Sequence, residues 1–142
     1  MILVDANLLI YAVDQDSPHH VRARAWLEDL LSGTTLVGFA WVVILAFVRV
    51  TTRPGILQKP LDPERAIEYM HEWLEQPYAR AVGPGEHHWP LLRNLLRGTG
   101  TAGNLVSDAH LAAIALEQGA TIHSTDHDFR RFPGVESINP LE

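Results

Sequence analysis

Asp5, Asp108 and Asp126 are the residues whose type and placement best support chemistry in this chain. Asp5 follows the apolar run Ile2-Leu3-Val4 directly. Asp126 lies in Ser124-Thr125-Asp126-His127-Asp128, just past another short apolar run, and Asp108 falls in the first turn of an expected helix behind Ser107. Each has an ordinary reading when taken alone: a turn residue, an Asx turn, or an aid to helix capping. Converging carboxylates repel one another, so the three together imply a bound cation. The chain has no cysteine, and hard oxygen donors favour Mg2+ or Mn2+ over zinc. Such an ion activates water for attack on a phosphate ester.

The elements that must position these groups read as an alternation of short apolar strands and helices. Residues 1–5 form the first expected strand, and Asn7 to Val13 a short helix or turn behind it. Ser17-Pro18 reads as a cap and first turn for a helix over about His19 to Leu31, with Val21, Ala25, Trp26 and Leu30 on its inward stripe and Gly33 closing it. Thr35 to Gly38 is the second expected strand and Ala40 to Thr51 a largely buried helix. Asp62-Pro63 starts another helix with Ile67, Met70 and Leu74 at helical spacing, ahead of a strand at Ala79 to Val82. Glu86 to Arg97 reads as a helix with Trp89, Leu92 and Leu96 inward, followed by a loop over Gly98 to Gly103. Ser107 is expected to cap a helix over Asp108 to Gln118 that Gly119 ends. Strands at Thr121 to Ser124 and Val135 to Ile138, with a helical turn between them over Asp128 to Phe132, complete the chain. The pattern predicts a single α/β domain over residues 1–142, built on a mostly parallel sheet of about five strands covered on both faces. In such a sheet the carboxyl ends of the strands bind ligands, and all three aspartates can reach that edge.

Composition bounds the partners. The chain has 142 residues, 46% hydrophobic and 20% charged, and a formal net charge of -6. That charge opposes a nucleic-acid partner until a bound cation reverses its local sign. The basic residues are almost all Arg, which suits bidentate phosphate contact, with Lys59 the exception. Leu36 to Val48 holds 13 uncharged residues, short of a membrane span, and no targeting segment precedes Asp5, so a cytoplasmic protein is expected.

Four blocks carry a further resemblance. They are Val4-Asp5-Ala6-Asn7-Leu8-Leu9-Ile10-Tyr11, Phe47-Val48-Arg49-Val50-Thr51-Thr52-Arg53-Pro54, Gly103 to Ala113 around Asp108, and Ser124 to Phe129 followed by Phe132-Pro133-Gly134 and Asn139-Pro140-Leu141. Together they resemble PIN domains, in particular the VapC toxins of bacterial toxin-antitoxin pairs. The resemblance implies a PIN-like three-layer sandwich and a Mg2+-dependent endoribonuclease acting on tRNA, rRNA or mRNA. It also implies a VapB-type antitoxin partner and a homodimer. Carried over by position, Asp5, Asp108 and Asp126 match three acidic residues of the site. Asn7 matches the polar residue two places after the first, and Thr125 the Ser/Thr preceding the last. The family's remaining acid, a Glu in the third helix, should fall near Ala46 or Phe47, and neither can ligate a metal. That leaves three carboxylates, and a fourth if Asp128 turns inward or Asp14 or Asp16 substitutes. A single held Mg2+ is then expected, with a second arriving with RNA phosphate.

Arg49, Arg53, Arg93 and Arg97 are candidate phosphate contacts, each with the rival role of surface charge. Adjacent histidines diverge by about 100° on a helix, so His19-His20 and His87-His88 form no two-ligand face. His110 and His123 are expected to pack, and His127 stands beside the site. Trp26, Trp73 and Trp89 read as core or dimer surface. A phosphoryl-transfer hydrolase using Asp5 as nucleophile needs an acid at position 7, where this chain has Asn7. The other alternative, favoured by the absent Glu, is a weak or inactive PIN-fold module that binds RNA or antitoxin.

Overall fold

The structure is a computed structural model and describes residues 1–100 and 103–142. Strands β1 (Ile2–Val4), β2 (Val37–Ala40), β3 (Ala79–Val82), β4 (Thr121–His123) and β5 (Ser137–Ile138) form one sheet in the order β3-β2-β1-β4-β5. Every neighbouring pair is parallel. Helices α1 (Ala6–Val13), α2 (His20–Ser32), α3 (Trp41–Thr52), α4 (Pro63–Leu74), α5 (His88–Thr99) and α6 (Val106–Gln118) make the crossovers. The expected fold class therefore stands, and the sheet is parallel throughout.

The strand order follows from what each strand buries. Leu3 and Val4 of β1, all of β2, and Ile122 of β4 are buried, as central strands covered on both faces require. At Gly38 an added Cβ would come within 2.5 Å of the Leu3 Cδ2, so the Leu3 side chain packs into the space that the missing Cβ leaves. Phe39, Phe47, Phe129 and Phe132 fill the core, with Phe39 and Phe47 both packed on Trp73 of α4. Truncating a buried Phe to Ala typically costs about 3–5 kcal/mol.

Several faces differ from the sequence expectation. On α2 the inward stripe is Ala23, Leu27 and Leu31, with Trp26 and Leu30 half-buried. Val21 is 77% exposed and Ala25 is exposed too; the helix starts at His20, and the Ser17 Oγ accepts from the His19 amide at 3.1 Å just ahead of it. On α4, Ala66 and Met70 are buried while Ile67 faces out. On α5, Leu95 is the buried residue and Trp89 is 63% exposed. Strand β2 begins two residues later than expected. Helix α6 follows directly on a 3-10 turn over Gly103–Leu105, so Ser107 lies inside it rather than capping it. The expected loop over 98–103 is part helix, and residues 101 and 102 of it lie outside the described residues.

Candidate metal centre

The strand order changes direction between β1 and β4. From β1 the chain crosses to β2 and β3 on one side, then returns to β4 on the other, which leaves a crevice at the carboxyl ends of these two neighbours. The Asp5 amide donates to the His123 carbonyl at 2.9 Å, so the end of β1 is bonded to the end of β4 at that point. Asp5 is also the N-cap of α1, its Oδ1 accepting from the Ala6 amide at 2.8 Å. Asp126 caps the 3-10 turn His127–Arg131, its Oδ1 accepting from the Asp128 amide at 2.9 Å. Asp108 stands in the first turn of α6, where the unpaired amides of a helix start favour an anion.

Asp108, Asp126 and Asp128 each place a carboxylate oxygen such that the three lie within 4.8 Å of one another. Asp5 is not one of this trio but is coupled to it. Burial pushes the Asp5 carboxyl up, hydrogen bonds from Ser124 and Ala6 pull against that rise, and the Asp126 charge adds to it. Asp108 is pushed up to about 6, first by desolvation and then by repulsion from Asp126, Asp5 and Asp128. The cluster is thus electrostatically strained as a set of bare carboxylates, and a divalent cation is the charge that relieves it. Four carboxylates without sulfur fit a hard ion.

Ser124 organises the site, a residue that sequence reasoning quoted only as part of its motif, carrying over Thr125 by resemblance instead. The buried Ser124 Oγ donates to Asp5 Oδ2 at 2.6 Å and accepts from the Asp126 amide at 3.0 Å and from Asn7 Nδ2 at 3.3 Å. A hydroxyl has one proton and two acceptor sites, so all three are committed. Asn7 is thus bonded to Ser124, and its Oδ1 is a buried acceptor with no partner among the described residues. A buried oxygen without a protein partner, on a side chain bonded to the serine that holds Asp5, fits a site that takes up water or an ion. The available signal was the burial of β4: a serine ending a strand on its inward face is held where its hydroxyl must find a partner.

The remaining candidates separate clearly. Arg49, Arg53, Arg93 and Arg97 are all exposed, in keeping with either role considered for them. Asp14 and Asp16 sit together at the end of α1, Asp14 Oδ1 accepting from the Asp16 amide at 3.1 Å, and neither belongs to the trio. His110 pairs with His88 at 2.9 Å, and His123 stacks on Trp26 with centroids 5.7 Å apart. His127 is exposed and points to Glu142 at 3.9 Å.

Comparison with known proteins bears on the family and the fold. The PIN domain family model matches residues 2–135. The chain is 49% identical over 140 residues to Ribonuclease VapC37 of Mycobacterium tuberculosis, covering 99% of this chain and 97% of that one. It is 40% identical over 141 residues to Ribonuclease VapC33 of the same species, covering 99% of each. A crystal structure of VapBC2 from Rickettsia felis bound to a promoter DNA fragment superposes with a TM-score of 0.71, at 18% identity and 98% coverage of both chains. With the acidic crevice at its strand switch, this chain belongs to the PIN-domain family, in the VapC branch of it.

Proposed function

We propose that this chain is a divalent-metal-dependent endoribonuclease, Mg2+ being the expected ion, and the toxin of a VapBC-type pair. The observation that carries the reading is the convergence of Asp108, Asp126 and Asp128, with Asp5 beside them, at the β1–β4 crevice. The activity comes from the relatives named as VapC ribonucleases, and the VapB-type antitoxin partner from the VapBC assembly of the structural neighbour.

When bound, the ion supplies a water of lowered pKa and a positive charge for the phosphate oxygens. This chain's residues do the rest. Asp108 and Asp126 would hold the cation from two different elements of the crevice. Ser124 fixes the Asp5 carboxylate by its 2.6 Å bond, and through the Asp126 amide it sets the turn that carries Asp126. A water attacking the phosphate would lose a proton to a site carboxylate as its oxygen bonds to phosphorus, and the leaving sugar oxygen would take up that proton as its bond to phosphorus breaks.

The test is cleavage of total RNA in Mg2+ by the purified chain beside Asp5→Asn, Asp108→Asn and an EDTA control. Cleavage by the parent that both variants and EDTA abolish is the expected result. A second reading rests on one feature, the absence of a carboxylate at Ala46 or Phe47: a module that binds RNA or antitoxin without cutting. No cleavage in any lane, with RNA or antitoxin bound tightly, would establish it instead.

A further inference from the structure

We propose that the solvent face of α5, carrying Trp89, Arg93 and Arg97, holds an unpaired stretch of RNA and leads it to the metal centre; this rests on the endoribonuclease reading above. Helix α5 reads HWPLLRNLLRGT and contains no acidic residue. Leu95 is buried, and Leu91, Leu92 and Leu96 pack beside it against the core, so the helix turns one apolar side inward. Trp89, Arg93 and Arg97 recur at every fourth position on the other side, and all three are exposed.

The helix itself gains little from both arginines. Arg97, in the last turn, meets the negative end of the helix dipole. Arg93, one turn earlier, neighbours Arg97 as a like charge, which is mildly destabilising at that spacing. The chain carries 17 acidic residues against 11 basic ones, and it pairs the exposed Arg24 with Glu28 and Arg65 with Glu68, each at 3.0 Å. Among the described residues no ion pair joins Arg93 or Arg97. Two unpaired guanidiniums on successive turns, roughly 6 Å apart along the axis, match successive phosphates of one extended strand. Trp89, 63% exposed, stands a turn before them and offers the flat face on which an unpaired base stacks. So narrow a stripe suits a single strand, because a duplex keeps its base faces covered.

The stripe also runs toward the site. The Gly85 and His87 amides just ahead of α5 bond Glu117 in the last turn of α6, and α5 packs along α6. Thr99 ends α5, and Gly103 opens the 3-10 turn that leads into α6. Helix α5 therefore starts beside the end of α6 and brings its own end back to the start of α6, where Asp108 stands. Trp89 lies at the far end of the track. Arg97, roughly 12 Å further along the axis, lies at the end toward the metal centre.

The test is the anisotropy of a short fluorescein-labelled, unstructured RNA oligonucleotide titrated with the full chain in EDTA, where neither metal nor cleavage enters. Arg93→Gln combined with Arg97→Gln should weaken binding about tenfold or more at low salt. It should also lower the slope of log affinity against log salt by about 1.4, the share of two phosphate contacts on a single strand. Trp89→Ala should weaken binding about fivefold or more, and Trp89→Phe by less. Arg22→Gln combined with Arg80→Gln removes the same charge from exposed positions on α2 and β3 and should bind as wild type does. In the Mg2+ cleavage assay the α5 variants should raise KM and leave kcat unchanged, a split that a loss of folding does not give. An equal loss in the Arg22 and Arg80 control, or unchanged binding in the α5 variants, overturns the track while cleavage still decides the nuclease reading. RNA held through α5 by a chain that cuts nothing keeps the track and removes the nuclease reading. A dimer that Trp89→Ala splits in sedimentation velocity, with RNA binding unchanged, assigns Trp89 to an interface between copies and overturns its stacking role.

Discussion

At the residue scale the site is a set of charges held together by one hydroxyl. Replacing Ser124 with Ala removes the bond to Asp5 Oδ2 and leaves Asn7 Nδ2 and the Asp126 amide without their acceptor. A hydrogen bond to a charged group contributes about 1.5–3 kcal/mol, so urea denaturation should show a loss of about that size. RNA cleavage should fall at least tenfold; a variant of unchanged stability and rate would remove Ser124 from the site. Asp108 yields a pH prediction. Its carboxyl is raised from 3.8 to about 6, and such a group stabilises the fold below its unfolded pKa and loses that contribution as pH rises through the folded value. In EDTA, the melting temperature of wild type relative to Asp108→Asn should fall between about pH 4 and about pH 6.5. Saturating Mg2+ should reverse the trend, and a flat difference in EDTA would falsify the repulsion argument. The three principal aspartates were legible because strand ends and a helix start announce themselves in sequence. Ser124 was not, because two adjacent hydroxyl residues look alike until the strand's inward face is known.

At the element scale, α6 delivers Asp108 and is itself fixed at its far end. Gly119, at φ 64°, ends the helix in a left-handed cap, and two residues earlier Glu117 accepts from the Gly85 and His87 amides at 2.7 and 2.9 Å. The Glu117 carboxylate thus binds the loop that leads into α5, while His88 of α5 bonds His110 of α6. Those two amides hold the Glu117 carboxyl below its ordinary value of 4.5, chiefly through Gly85. A depressed carboxyl stabilises above its unfolded pKa and loses that contribution as pH falls through the folded value. Glu117→Ala should therefore lower the melting temperature at neutral pH and by less in acid. Amide exchange at Gly85 and His87 should speed up selectively, and unchanged exchange at both would show that the clamp does not hold the loop. This contact joins residues some thirty positions apart, and no local pattern announces it. The same limit explains the misread faces of α2 and α5. Both helices carry apolar residues on two sides, and only the packed partner decides between Leu95 and Trp89. Strand existence was readable from apolar runs between breakers, whereas the order β3-β2-β1-β4-β5 rests on pairings between distant segments.

At the scale of the whole molecule, the question is what covers the apolar surface that the single chain leaves open. The sequence reads α3 as largely buried, yet Trp41 and Leu45, one turn apart, are 54% and 61% exposed. Arg49 is exposed one further turn along the same stripe. Large apolar groups on adjacent turns are the kind of patch that monomers rarely leave uncovered, and a tryptophan with an aliphatic neighbour suits the centre of an interface. A second copy of the chain is the occupant implied by the family resemblance, with Arg49 then at the rim of that contact rather than on RNA. The prediction is a dimer in sedimentation velocity at micromolar concentration. Trp41→Ser combined with Leu45→Ser should shift it to monomer while circular dichroism is unchanged, because neither side chain belongs to the core. Core truncations behave differently: Phe47→Ala, in the same helix, should lose about 3–5 kcal/mol of stability whatever the assembly state. A dimer that survives the double substitution would move the contact to another face, and the exposed Trp89 of α5 is then the next residue to replace. Wild type that sediments as a monomer would instead leave the α3 stripe free for the antitoxin, and adding that partner should then quench Trp41 fluorescence.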